Sequence, residues 1–222
     1  RKKAYFGKVD QDYSHSEVKE RDMKKPFRRE ALAISPRLAK ILVNLTQVGP
    51  GGLLLDPFCG IGGIIQEALI KGLNCYGIDK DRLAIDDARK NLKWMAQRYD
   101  LNANYTLLAA DSRNAPNIRV DGVATEPALG ELIRRKLKNY EAQDFVDKFR
   151  KMIIPVLKRV SQIKKPGAKI VLTLPFVREF SVNLEEVCKQ TGLKIYNIRG
   201  IQMPIKEFRE DQFVSREIVV LE

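Results

Sequence analysis

Residues 121–132 read DGVATEPALGEL, an apolar strand that runs out into Thr125, Glu126 and Pro127 before the start of a helix-like pattern. A hydroxyl and a carboxylate there are hydrogen-bond acceptors at a strand end, where open α/β sheets bind their ligands. Three further carboxylates have the same kind of position. Asp56 closes GLLLD, Asp79 closes NCYGID, and Asp111 follows NYTLLAA. Between Asp56 and the next helix lies PFCGIGG, with Gly60, Gly62 and Gly63. Glycines at such a junction allow a tight turn and a close backbone approach to a ligand, and the helix start offers free N–H groups.

A glycine loop of this kind could cradle the pyrophosphate of a nicotinamide dinucleotide. Asp56 argues against that, because its charge would repel a pyrophosphate. It suits the cationic amino and sulfonium side of S-adenosylmethionine. Asp79 is placed to accept from ribose hydroxyls and Asp111 from an adenine amine. Pro57, Phe58, Cys59, Lys80 and Ser112 flank these positions and complete the expected cofactor-binding set. Cys59 reads as a small packed residue rather than a nucleophile, since no acid or histidine base lies close to it in sequence.

The elements that must position these residues alternate. Strands are predicted at GLLLDPF, NCYGIDK, NYTLLAAD, VDGVATE and AKIVLTLPF, with helices between them. SPRLAKILVNLTQVG is a helix with Ser35 as N-cap and Pro36 at its first position. Asp81 should cap DRLAIDDARKNLKWMAQRYD, and Gly72 should close IGGIIQEALIKG. A long basic helix is expected from about Leu129 to Ile163, with Phe145, Phe149, Met152 and Ile153 as its core stripe. SVNLEEVCKQTG should be capped by Ser181 and stopped by Gly192. KIYNIRGIQ and REIVVLE then follow without a helix between them, which predicts an antiparallel hairpin. The expected fold is α/β, a mostly parallel seven-stranded sheet with an antiparallel last strand and helices on both faces.

The composition, 44% hydrophobic and 31% charged over 222 residues, is that of a globular chain. No apolar run approaches the roughly 20 residues that span a bilayer, so no membrane partner is expected. Cys59, Cys75 and Cys188 lack paired spacing and His15 is the one histidine, so no metal site is expected. His15, in polar DYSHSE, reads as a solvated loop residue. Few cysteines, odd in number, fit a reducing, cytoplasmic setting. The formal charge is +12, and residues 131–169 carry twelve Lys/Arg against four Asp/Glu. A stripe that basic suits an anionic partner such as nucleic acid.

KPFRREALAISPRLAKILVNL, LLLDPFCGIGGIIQEA, YGIDKD, AADSR and the closing QFVSREIVVLE together resemble the archaeal and eukaryotic tRNA guanosine-N2 methyltransferases that modify position 10. The resemblance runs from about Lys25 to the C-terminus. It implies a Rossmann-like, S-adenosylmethionine-dependent methyltransferase domain over residues 26–222. Residues 1–25 would then be a connector from a preceding RNA-binding THUMP domain, with AYFGKV as a strand in it. It implies a tRNA substrate, and some members of the family also work with a small activator subunit. That family ends its fourth strand in Asp- or Asn-Pro-Pro-aromatic, whose acceptors hold the guanine amine while the ring stacks on the flipped base. On the simplest register Thr125 takes the Asp or Asn position, Glu126 the first Pro, Pro127 the second and Ala128 the aromatic. Thr125, Glu126 and Pro127 are therefore the expected catalytic set, with Phe27 or Phe176 as substitute rings. Arg134, Arg135, Lys136 and Lys138 would hold RNA phosphates beside the base, and Arg28 and Arg29 form a second basic cluster at the entrance. The alternative is a catalytically silent module that keeps the fold and binds RNA.

Overall fold

The computed structural model describes residues 7, 14–29, 34–128, 133, 135–198, 200–208 and 213–222. The strand expected within residues 4–9 lies, Gly7 apart, outside the described residues, and so does Arg134. The chain opens on α1 (His15–Met23), with Ser14 accepting from the Glu17 N–H, and continues into α2 (Pro36–Leu45). His15 is exposed at the first turn of α1 rather than in a loop. Ser35 caps α2 as expected, accepting from the Leu38 N–H, with Pro36 at the position that needs no donor.

Strand and helix then alternate. β1 (Leu53–Asp56), α3 (Gly63–Ile70), β2 (Asn74–Asp79), α4 (Arg82–Arg98), β3 (Tyr105–Ala109) and β4 (Val120–Thr125) follow in order. The chain then passes through α5 (Asn139–Ile163), β5 (Lys164–Val177), the two-residue β6 (Phe180–Ser181), α6 (Leu184–Thr191), β7 (Ile205–Glu207) and β8 (Ser215–Leu221). The sheet order is β3-β2-β1-β4-β5-β8-β7, with β1 to β5 parallel and β8 antiparallel to both of its neighbours, β5 and β7. The two-residue β6 folds back on the end of β5.

The central strands are apolar on both faces because both are covered. On one side Leu55, Val123, Ile170, Leu172 and Val219 pack with Val146, Phe149, Ile153 and Val160 of α5. On the other Leu54, Ala124, Val171 and Val220 pack with Leu38 and Leu42 of α2, Ile64 and Ile65 of α3, and Leu92 of α4.

Four expectations are corrected. The basic helix begins at Asn139, not near Leu129, with Glu141 reaching back to the Lys138 N–H at 2.7 Å, so residues 135–138 precede it. Met152 is 37% exposed and leaves the core stripe to Phe149 and Ile153, with Phe145 half-buried beside them. Asn183, not Ser181, caps α6. Its side chain accepts from the Glu186 N–H, whereas Ser181 is drawn into β6 and its hydroxyl donates to Glu217. The final pair is not one long hairpin. Lys194 and Tyr196 bond to Glu222 and Val220, a turn at Gly200 leads the chain away, and β7 returns to pair with β8.

Candidate active site

Parallel β2, β1 and β4 end side by side, and their last residues build the site. Asp56 is 1% exposed. Its Oδ1 accepts from the Thr125 hydroxyl at 2.7 Å and from the Phe58 N–H at 3.1 Å. Burial raises its carboxyl to about 7, and the nearby charges of Asp79 and Glu126 push the same way. No cation pairs with Asp56 among the described residues. This is a buried acid that a positively charged ligand would relieve.

The glycine loop wraps over it. Gly60 and Gly62 have φ of 49° and 87°, a region that a side chain would strain, and Gly62 stands at the N-cap of α3. Asp79 holds the loop from the next strand, its Oδ2 accepting from the Gly60 N–H at 2.8 Å and its Oδ1 from the Asp81 N–H at 2.9 Å. Asp81 caps α4 as expected, through the Leu83 N–H. Ser112 is buried, and its hydroxyl donates to the Pro57 carbonyl, tying the turn after β3 to the glycine loop. Gly63 starts α3 and Pro57 is buried. Phe58 packs half-buried against the α5 side of the core. Burial pushes the Cys59 thiol far above its usual range, which suits a packed residue and not a nucleophile.

Asp111 is placed differently from the other carboxylates. It caps a short 3-10 turn, and both of its oxygens are bound by Arg113 at 2.6–3.0 Å, which holds its carboxyl down at about 2. An adenine amine would have to share it with that guanidinium. Lys80 is exposed and lines a cleft of about 490 Å³ between α4 and β3, with Arg82, Asp86, Arg89 and Leu108.

The end of β4 separates residues that the sequence put together. Thr125 is 1% exposed and its hydroxyl is turned onto Asp56, inside the sheet. Glu126, one residue on, is half-buried and forms an ion pair with Arg216 of β8, which reaches it across β5. Arg216 in turn lies 3.9 Å from Glu207, its cross-strand partner on β7. Pro127 is buried and Ala128 exposed. Arg216 is the site residue that sequence reasoning missed. The one signal it gave was its place in SREIVVLE, a cation just ahead of the apolar IVVL run of the closing strand.

Two residues of the expected basic clusters are paired within the chain. Arg29 bridges Asp81 and Asp87 at 2.9 and 2.7 Å, fixing the start of α4, while Arg28 stays exposed. Arg135 makes two bonds to Glu141, at 2.9 and 2.6 Å. Lys136 and Lys138 are exposed in the approach to α5. Phe27 is covered by Lys90, 4.5 Å from its ring centre, and its N–H donates to Asn91.

A reversed β8 within an otherwise parallel doubly wound sheet, a glycine loop after β1 and carboxylates at successive strand ends define the class: a Rossmann-like methyltransferase fold. Residues 23–165 match the UPF0020 family, RMKL-like methyltransferase domain, and the chain belongs to it. Among curated relatives it is 36% identical over 111 residues to the tRNA (guanine(10)-N2)-dimethyltransferase of Methanothermobacter thermautotrophicus, covering 50% of this chain and 31% of that one. It is 28% identical over 183 residues to the enzyme of the same name from Methanocaldococcus jannaschii, covering 79% and 46%. The chain thus spans less than half the length of either. Its fold is like that of TrmN from Thermus thermophilus, with a TM-score of 0.62 at 21% identity over 91% of this chain and 52% of that one. It is also like magnesium protoporphyrin IX methyltransferase from Synechocystis PCC 6803, solved with bound SAM, with a TM-score of 0.56 at 14% identity over 83% and 78%.

Proposed function

We propose that the chain binds S-adenosylmethionine at the ends of β1 and β2 and transfers its methyl group to the exocyclic N2 amine of a guanosine in tRNA. The donor set fits that cofactor. Asp56 meets the cationic methionine end, Asp79 the ribose hydroxyls, and the Gly60–Gly62 turn lets the backbone approach between them. When bound, S-adenosylmethionine supplies an electrophilic methyl on a good leaving group.

The observation that carries the acceptor side is Glu126, a carboxylate at the open end of β4 held by Arg216. A guanine amine is a poor nucleophile because its lone pair is delocalised into the ring. Glu126 and the carbonyl of the following residue would accept its two hydrogens, turning the lone pair towards the methyl group. Arg216 holds the carboxylate in place, and little basicity is needed because the N–H turns acidic as the new C–N bond forms. Thr125 then has a supporting role through Asp56 instead of touching the amine, and Pro127 stiffens the turn that sets Glu126. The wider partners, an RNA-binding domain before residue 26 and an activator subunit, remain part of the same proposal by resemblance to its relatives.

Glu126→Gln tests it. Methyl transfer from labelled S-adenosylmethionine to unmodified tRNA should fall at least a hundredfold, with cofactor and RNA binding unchanged. Equal turnover by the variant would move the acceptor elsewhere. No turnover by the wild-type chain, with binding intact, would favour the silent module, in which the Glu126–Arg216 pair is purely structural.

A further inference from the structure

β4 pairs with β5 only as far as Thr125–Leu172, whereas β5 continues to Val177 and stays paired with β8 out to Phe176–Ser215. Phe176 lies four residues beyond Leu172, so at about 3.3 Å per step this ribbon stands about 13 Å above the end of β4. It is a wall along one side of the candidate active site. β7 extends it, since Glu207 is paired with Arg216.

The top of the wall is aromatic and cationic. Phe208, just past β7, is 62% exposed, and its ring meets Phe176 edge-on at 5.8 Å between centres. Lys206 lies 4.2 Å from the Phe176 ring centre and 3.8 Å from the Glu217 carboxylate. Phe213, 46% exposed, sits two residues before β8 at the same end. A single exposed phenylalanine needs no explanation. An exposed ring braced edge-on by a second ring, with a lysine beside it and Glu207, the neighbour of Arg216, next to it in sequence, is a different arrangement. It is what stacking one nucleobase and holding its phosphate requires. Ala128 supplies no ring at the end of β4, so a stacking ring has to come from another element.

We propose that Phe208, braced by Phe176 and flanked by Lys206, is a stacking platform for an unpaired nucleotide of the RNA substrate. The assignment rests on the RNA reading given above. The test uses the 222-residue chain and a synthetic RNA stem–loop carrying one unpaired 2-aminopurine, read by fluorescence. Phe208→Leu should weaken binding roughly tenfold and leave the 2-aminopurine unquenched, while Phe208→Trp retains both. Lys206→Gln should weaken binding more uniformly and lower the salt slope by about one. Unchanged circular dichroism and S-adenosylmethionine affinity in each variant would show that the fold and cofactor site persist. If the wild-type chain binds the RNA and Phe208→Leu binds it equally well, the platform is overturned and the RNA reading stands. If the wild-type chain does not bind, the RNA reading falls and takes the platform with it. If Phe208→Leu leaves RNA binding intact but abolishes self-association seen by sedimentation, the ring belongs to a protein interface and the platform is overturned.

Discussion

Asp56 illustrates how one residue couples stability to ligand binding. Its carboxyl ordinarily titrates at 3.8 and in the fold at about 7. Between those values the folded chain binds a proton that the unfolded chain has released. Stability from this group therefore falls as pH rises from about 4 to 7 and then levels off, by on the order of 4 kcal/mol in all. Asp56→Asn keeps an oxygen to accept from Thr125 and Phe58 but carries no charge. It should be more stable than wild type at pH 8 by up to about 4 kcal/mol, with the gap closing near pH 4. Urea unfolding of both proteins at the two pH values checks this. Calorimetry should show the same variant losing affinity for S-adenosylmethionine, because the charge that destabilises the fold is the one proposed to meet the cation. An equal stability at pH 8 would mean that the carboxylate is better solvated than its burial indicates.

At the scale of elements, the cap of α6 is the clearest disagreement between residue types and structure. Ser181 and Asn183 are both good N-caps, and local chemistry cannot rank them. The choice is made by β5, which pairs with Phe180 and Ser181 and leaves Asn183 at the helix start. Asn183→Ala should therefore cost about 1 kcal/mol in chemical denaturation, through the Glu186 N–H it leaves open. The parts of the fold that were legible share one property: their signals are local. Ser35, Asp81 and Gly192 mark helix ends, and the apolar runs at Leu53–Asp56 and Val120–Thr125 mark covered strands. The carboxylates at the ends of β1 and β2 could be read for the same reason. What could not be read depends on distant partners. Thr125 turns inward because Asp56 is there to accept, Glu126 is fixed by a residue 90 positions on, and Asp111 is claimed by Arg113. The expected start of α5 near Leu129 is ten residues early, because a basic run does not itself mark a helix end, whereas Glu141 sets the first turn.

At the scale of the whole molecule, the segment ahead of α2 is bound into the domain by polar contacts, which explains why no apolar pattern announced it. α1 has a mostly polar sequence, yet Arg21 is buried and makes two bonds to Glu67 of α3, at 2.8 and 3.4 Å. Its guanidinium also lies 5.7 Å from the Tyr99 ring centre, and Glu20 receives Arg98 from the end of α4. Farther on, Asn91 takes the Phe27 N–H and returns a bond to its carbonyl, pinning the chain onto α4. Burial raises the Glu67 carboxyl while Arg21 opposes it, so removing the guanidinium strands a charge inside. Arg21→Ala is expected to destabilise the chain by about 3–5 kcal/mol. Replacing both partners, as Arg21→Met with Glu67→Leu, should recover most of that, since no charge is then left unpaired. Thermal and urea unfolding of the two variants decide the matter. A loss below about 1 kcal/mol for Arg21→Ala would mean that α1 only rests on the domain, and that movement between residues 14–29 and α3 is open to whatever precedes them. The full loss, with recovery in the double variant, would make this polar strap part of the folding unit that holds the glycine loop, since α3 carries Glu67 at one face and begins at Gly63.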